Sequence, residues 1–120
     1  MLNRSLMTRS LAAVLAAIVI SSAVFAEPSA GSDFDEAVKA AVQMRQPLLD
    51  GNRAECERLG TLSIEYARKA LSAEKNSENQ KYLEAAIRYL EQTLKDVRDD
   101  KFGYAAQSWN EALKMYDYVS

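Results

Sequence analysis

This chain has few residues that could bind a metal ion or act in acid–base catalysis, because its 120 residues include no histidine and a single cysteine. Haem sites in helical bundles use histidine or a Cys-x-x-Cys-His attachment, and di-iron bundles use Glu-x-x-His pairs. Catalytic triads depend on histidine as well. The sequence also has neither a glycine-rich phosphate loop nor an EF-hand pattern. The composition therefore predicts a protein that is not an enzyme and that binds no haem.

Carboxylates are the plentiful ligands that remain. Asp96, Asp99 and Asp100 fall within five residues of one another, and Asp50 lies at an earlier turn. Carboxylate oxygens suit a hard divalent cation such as Ca²⁺, and a thiolate such as that of Cys56 suits a softer metal. These five residues are the candidate ligands of a divalent metal ion. The alternative for the aspartates is a solvated helix end, since basic residues are interleaved with them.

Cys56 also admits two interpretations that involve no metal. With no second cysteine in the chain it cannot form an internal disulfide. The thiol then either packs in the core as a small apolar group or links two copies of the chain into a dimer. Free cysteine is among the most buried residue types, which favours the core.

Two tyrosines offer a candidate partner surface. Tyr82 and Tyr89 are seven residues apart and therefore share one face of a helix. That face is offset from the leucine stripe of the same helix. Because tyrosine is enriched at protein interfaces, the pair predicts a surface for a protein partner. The alternative is ordinary packing at the core and its rim.

Four helices are predicted to position these residues. The first begins at Ser32 or Asp33, and Pro47 predicts a kink or a helix end near Arg45, because proline lacks the N–H that a helix needs. The second begins after Asn52, which is a favoured N-cap residue. It contains Gly60, which predicts the close approach of a neighbouring helix.

The third helix is the most regular. Ser77 is its predicted N-cap, with Gln80 three residues later. Its apolar residues recur at alternating steps of four and three, the spacing of a bundle seam: Leu83, Ile87, Leu90, Leu94 and Val97. The fourth helix begins near Phe102.

The order of helix, acidic turn and helix occurs twice, in residues 43–66 and 92–115, with Asp50 corresponding to Asp99. This pattern predicts an all-α fold, an antiparallel up-down-up-down four-helix bundle built from two similar helical hairpins. The bundle domain spans residues 33–120, and residues 27–32 are predicted to form a flexible leader. No segment has the alternation of a strand.

Residues 1–26 read as an export signal. Arg4 and Arg9 precede an apolar run over residues 11–20, and Val24 and Ala26 fit the −3 and −1 positions of a signal peptidase site. The run is short for a membrane span, which needs about 20 apolar residues. We therefore expect cleavage near Ala26, a periplasmic or secreted protein, and no stable membrane insertion after cleavage.

The charge balance bears on the partner. The chain has a net charge of −2, and removal of Arg4 and Arg9 with the signal makes the remainder more acidic. Nucleic-acid binding needs a basic patch, and none is visible. The expected partners are thus a metal ion or a periplasmic protein.

Three segments resemble one known family. Residues 34–39 (FDEAVK), 86–91 (AIRYLE) and 105–113 (AAQSWNEAL) are similar to helices of the small metal-binding protein family. The resemblance implies a small periplasmic four-helix bundle, made of two hairpins, that binds divalent transition metals. The family has histidines along its helices, whereas this chain has Tyr89 where one is expected. No ligand is carried over.

A shorter resemblance concerns the last helix alone. Residues 100–102 (DKF), followed by Ala105, Trp109, Ala112 and Leu113, are similar to one helix of a tetratricopeptide repeat. Arrays of this type need about three repeats to be stable, and this chain has room for barely two. The sequence thus leaves two hypotheses, a metal-binding bundle that uses carboxylates and an interaction module that uses its tyrosines.

Overall fold

The computed structural model describes residues 30–120, and every element in that range is a helix. The predicted all-α class is thereby confirmed, and no helix among these residues is long and apolar enough to cross a membrane. The predicted export signal lies outside the described residues. The helices are α1 (Ala30–Gln43), α2 (Arg45–Asp50), α3 (Arg53–Ala73), α4 (Ser77–Arg98) and α5 (Phe102–Tyr118).

The first predicted helix is divided into α1 and α2. Met44 donates its N–H to the carbonyl of Ala41 at 3.1 Å, an i→i−3 bond that tightens the chain after Gln43. Pro47 has no N–H for the carbonyl of Gln43, so the helical ladder is interrupted at this point. The predicted helix end near Arg45 is confirmed. The other end differs, because α1 begins at Ala30 and so includes residues predicted to belong to the leader.

The turn between α2 and α3 and the turn between α4 and α5 have the same backbone geometry. Gly51 and Asp100 both adopt left-handed conformations, with φ of 66° and 60°. After each of them the next N–H reaches back five residues to the preceding helix, from Asn52 to Pro47 and from Lys101 to Asp96. This is the Schellman motif, which satisfies the carbonyl groups left open at a helix end.

Asparagine side chains cap α3 and α4. Asn52 Oδ1 accepts from the N–H of Glu55 at 3.2 Å, as predicted. At α4 the predicted Ser77 cap is wrong, because Asn76 Oδ1 accepts from the N–H of Asn79 at 3.0 Å and Ser77 is the first helical residue. Serine and asparagine are about equally favoured caps, so their adjacency leaves the choice to the tertiary structure.

The core forms where α1 packs on α3, α3 on α4, and α4 on α5. All five residues of the predicted α4 seam are buried. Small residues of α1 lie in this core, and Ala37 and Ala41 are wholly buried. Contacts between α1 and α5 are much sparser. The seam between these two helices therefore stays open on the surface.

Gly60 lies where α3 is closest to its neighbours. A Cβ atom at this position would come within 2.6 Å of Leu94 Cδ2 and 3.2 Å of Met44 Cε. The close approach that Gly60 predicts is confirmed. It offsets the cost of glycine in a helix, which is about 1 kcal/mol relative to alanine.

A chain of buried hydrogen bonds joins three helices. Ser63 Oγ on α3 donates to the carbonyl of Ala37 on α1 at 2.6 Å, and it lies 2.8 Å from Tyr116 Oη on α5. Because the single serine proton points at Ala37, the tyrosine hydroxyl is the donor to Ser63. Buried polar groups that are fully paired in this way specify one packing arrangement.

Candidate functional site

The predicted aspartate ligands each have a partner within the chain. Asp96 is buried, and its Oδ1 accepts from Gln92 Nε2 at 3.0 Å. Asp99 Oδ2 lies 3.5 Å from Lys95 Nζ. Asp100 forms an exposed ion pair with Arg53. These contacts direct the three carboxylates to different neighbours.

The other two predicted ligands lie apart from them. Asp50 is exposed and accepts from Gln46 Nε2 at 2.9 Å. Cys56 is wholly buried in the core, and this burial raises the pKa of its thiol. Within residues 30–120, no three or more cysteine, aspartate or glutamate side chains converge on a position for a metal ion. Metal binding stays a prediction from the sequence.

The burial of Cys56 also bears on the predicted dimer. The thiol has no disulfide partner among the described residues, and it faces the core beneath the first turns of α3. A disulfide between two copies would require that end of α3 to open. The dimer remains a prediction.

The two predicted interface tyrosines differ in their surroundings. Tyr82 is half-buried, and its ring centroid lies 5.2 Å from that of Tyr118. The neighbouring charge of Glu78 raises the pKa of Tyr82. Tyr89 is 37 % exposed, and its carbonyl accepts from Thr93 Oγ1. Both tyrosines lie on α4, away from the open seam between α1 and α5.

That open seam forms an apolar groove, here called the α1–α5 groove. It has a volume of about 740 Å³, which is in the range of protein ligand sites. Its lining residues come from the end of α1, from α2 and from the first two-thirds of α5: Val42, Arg45, Leu48, Leu49, Phe102, Gly103, Ala106, Trp109, Asn110 and Leu113.

Large apolar side chains of the groove are exposed to solvent. Val42 is 52 % exposed and Leu49 is 71 % exposed. On the facing wall Phe102, Trp109 and Leu113 are half-buried against the core. Exposed apolar residues that form one large contiguous patch, unlike scattered ones, mark interaction surfaces in soluble proteins.

Both walls of the groove are stripes along helices. On α5, Phe102, Ala106, Trp109 and Leu113 follow one another at steps of four, three and four, so they share a face. On the other wall Val42 and Leu49 are seven residues apart on either side of the break at Met44. A second, more open hollow shares Val42 and Leu113 and continues the apolar α1 stripe to two further residues, Val38 and Phe34.

One hydrogen bond ties the two walls together. Trp109 Nε1 on α5 donates to the carbonyl of Ala41 on α1 at 2.7 Å. Further along the seam, the rings of Phe34 and Tyr116 meet edge to face at a centroid distance of 5.7 Å. These two contacts fix the width of the groove.

Among residues 30–120, Arg45 is the only charged residue that lines the groove. It is exposed on α2, and it forms no ion pair within the part of the chain that the structure describes. Asn110 is the remaining side chain with a polar end. The groove thus combines an apolar floor with a single cation at one wall.

The sequence contains the apolar residues of this groove, but their helical spacing does not show whether they are buried or exposed. Val42 and Leu49 stand beside the main apolar stripe of the first helical segment, and Phe102 and Trp109 are at core-like positions of α5. Whether such residues are covered depends on how closely α1 approaches α5. Helical spacing alone does not encode that distance.

Comparison of this chain with protein-family models, with curated proteins and with solved structures finds no match to any of them.

Proposed function

We propose that this chain is an exported, non-catalytic interaction module that binds another protein through the α1–α5 groove. The observation that carries the proposal is the exposure of Val42 and Leu49 opposite the half-buried Trp109. Covering such side chains releases about 25 cal/mol for each Å² of apolar surface removed from water. The carboxylates offer no comparable convergence among residues 30–120.

In the proposed architecture the four long helices run up-down-up-down. The contacts between α3 and α4 favour this order, because Arg68 pairs with Glu91 at 2.6 Å and Glu57 pairs with Arg98 at 3.2 Å. Residue numbers rise along one helix as they fall along the other. The pairs between α4 and the end of the chain follow the same rule: Thr93 with Ser108, and Asn79 with Ser120.

The repeated turn supports the proposal that the two hairpins are similar units. Gly51 and Asp100 occupy corresponding positions, 49 residues apart, in identical Schellman motifs. A pair of hairpins that packs through α3 and α4 leaves its outer helices, α1 and α5, to form the groove. The duplication would therefore be the origin of the binding surface.

Export to the periplasm is part of the proposal and rests on residues 1–26. A mass measurement on the protein recovered from its own cells tests it directly. We expect a chain that begins at Glu27, and a protein that retains its first 26 residues would contradict export by a cleaved signal.

Co-purification tests the interaction. The chain would be tagged at its C-terminus, expressed with its own leader in its own cells, and recovered under mild conditions. We expect a bound protein whose recovery is lost in the double variant Val42→Ser/Leu49→Ser. It should persist in Tyr82→Ala/Tyr89→Ala, which removes the tyrosine surface predicted from the sequence.

If recovery of the bound protein were lost only in Tyr82→Ala/Tyr89→Ala, the tyrosine surface rather than the groove would be the binding site. If it were lost in neither double variant, neither surface would be the binding site. Val42, Leu49 and Tyr89 are exposed, and Tyr82 is half-buried. Circular dichroism checks that every variant keeps the helix content of the wild-type chain.

The resemblance to small metal-binding proteins keeps a second function under test. A ligand that binds only the folded state raises the melting temperature. Thermal unfolding with millimolar Ca²⁺, Mn²⁺, Ni²⁺, Cu²⁺ or Zn²⁺ therefore decides it. A rise in melting temperature for one ion that disappears in Asp96→Asn/Asp99→Asn would favour a carboxylate site. Unchanged melting temperatures with every ion would favour the interaction module over the metal-binding protein.

A further inference from the structure

We infer that the occupant of the α1–α5 groove is an amphipathic helix of a partner protein, with a carboxylate that faces Arg45. The inference rests on the proposed function and specifies the chemistry of the partner. It follows from the shape of the groove and from the charge on its wall.

The shape of the groove favours a helical occupant. Its two walls are helices that stay apart, and each presents apolar side chains spaced by helical turns, such as Phe102 and Trp109 on α5. A third helix placed between them can present leucine-like side chains at i, i+4, i+7 and i+11 to both walls. This is the helix-in-groove mode of recognition, in which an amphipathic helix lays its apolar face into a trough.

The charge favours an acidic helix. Arg45 is exposed at the α2 wall, without an ion pair among residues 30–120, and no acidic residue lines the groove. The guanidinium group presents donors in a planar fork that matches a carboxylate. A helix with a glutamate or aspartate beside its apolar stripe satisfies it, whereas a lysine at that place meets a like charge.

The test uses two designed peptides and the tryptophan of the groove. Each peptide forms about four helical turns, has leucine at i, i+4, i+7 and i+11, and contains no tryptophan. One carries glutamates beside the leucine stripe, and the other carries lysines at the same positions. Trp109 is the only tryptophan in the chain, so its emission reports occupancy of the groove.

We expect the glutamate peptide to shift the emission of Trp109 and to bind about five-fold more tightly than the lysine peptide. This ratio is typical of one exposed ion pair with Arg45, which the glutamate peptide forms and the lysine peptide replaces by a contact between like charges. Arg45→Glu should reverse the preference, so that the lysine peptide binds more tightly. Arg88→Gln removes an exposed arginine of α4, outside the groove, and should change neither affinity.

Equal binding of both peptides to the wild-type chain and to Arg45→Glu would overturn the acidic preference. If Leu49→Ser weakened both peptides in that case, the groove would still be the binding surface. If neither peptide bound while co-purification was still lost in Val42→Ser/Leu49→Ser, the inference of a helical occupant would be wrong. The proposed function of the groove would then still stand.

A second copy of the chain is the competing occupant. If the purified protein sediments as a dimer and Leu49→Ser returns it to a monomer, the groove is closed by self-association and the inference is wrong. A monomer that binds the glutamate peptide supports it.

Discussion

Trp109 Nε1 lies 2.7 Å from the carbonyl oxygen of Ala41, and this hydrogen bond spans the two walls of the α1–α5 groove. The same carbonyl accepts from the N–H of Met44, where α1 ends. The break in the first helical segment and the floor of the groove therefore share one acceptor.

The ionisation of Tyr116 should make stability depend on alkaline pH. Burial raises the pKa of its phenol to about 12, from 10 for an exposed tyrosine. Below pH 10 the phenol is protonated in both the folded and the unfolded state, and its contribution to stability is complete. Between pH 10 and 12 the unfolded chain loses the proton first, so the free energy of unfolding falls by about 2–3 kcal/mol.

Urea denaturation at several pH values checks this expectation. Tyr116→Phe is the matched control, because it lacks this phenol and retains every other ionisable group of the chain. At pH 7 the variant should be less stable by about 1 kcal/mol, the net contribution of one hydrogen bond. Parallel curves for the two proteins above pH 10 would show that the phenol of Tyr116 does not stay protonated in the folded state.

The turns at Gly51 and Asp100 share one left-handed backbone conformation, so substitutions there should change stability in opposite directions. Replacing the glycine should destabilise the protein, and introducing a glycine should stabilise it. Gly51→Ala should destabilise the protein by about 1 kcal/mol, because alanine is strained at a φ of 66°. Space is not the reason, since a Cβ atom would approach nothing closer than Phe102 Cε2 at 4.0 Å. Asp100→Gly should relieve the same kind of strain at the second turn.

The ion pair between Asp100 and Arg53 must be separated from that strain. In 1 M NaCl the exposed pair is screened, and there Asp100→Gly should raise the free energy of unfolding by about 0.5 kcal/mol. Chemical denaturation at low and high salt provides the measurement. A loss of stability at high salt would mean that aspartate suits this backbone position better than glycine.

The packing of Gly60 predicts a coupling with Leu94. Gly60→Ala alone should destabilise by about 1 kcal/mol or more, because the clash with the isobutyl group exceeds the gain in helix propensity. In the Leu94→Ala background the obstacle is gone. There the same substitution should be neutral or stabilising by up to about 1 kcal/mol.

A double-mutant cycle by urea unfolding measures this coupling. If Gly60→Ala had the same effect in both backgrounds, Leu94 would not be the reason for glycine at this position. Leu62→Ala, at a half-buried position of α3, provides a background in which no relief is expected.

Local sequence rules predicted much of the fold. Pro47, which lacks an N–H, predicted the break between α1 and α2. Asn52 predicted the start of α3, and the regular apolar spacing predicted the buried face of α4. Each of these features depends on groups only a few residues apart. The choice of Asn76 over Ser77 as a cap was missed because both side chains satisfy the local rule.

The candidate site depended on contacts that no local pattern contains. The partner of Asp100 is Arg53, 47 residues earlier in the chain, so clustering in sequence did not bring the aspartates together in space. Likewise, Trp109 belongs to a helical stripe that indicates burial, and Leu49 stands beside such a stripe. They remain partly exposed because α1 and α2 make few contacts with α5, and this follows from the packing of α1 on α3 and of α5 on α4.

Photocrosslinking at the α1–α5 groove tests directly whether a partner protein binds there. A benzophenone amino acid would replace Leu49 or, in a second variant, Tyr89 in the full chain, expressed with its leader in its own cells, and Arg88 in a matched control. If a partner protein binds in the groove, we expect a discrete covalent adduct with a second protein from position 49 and none from position 88. No adduct from position 49, together with a clear one from position 89, would contradict the groove and place the partner on the tyrosine face of α4.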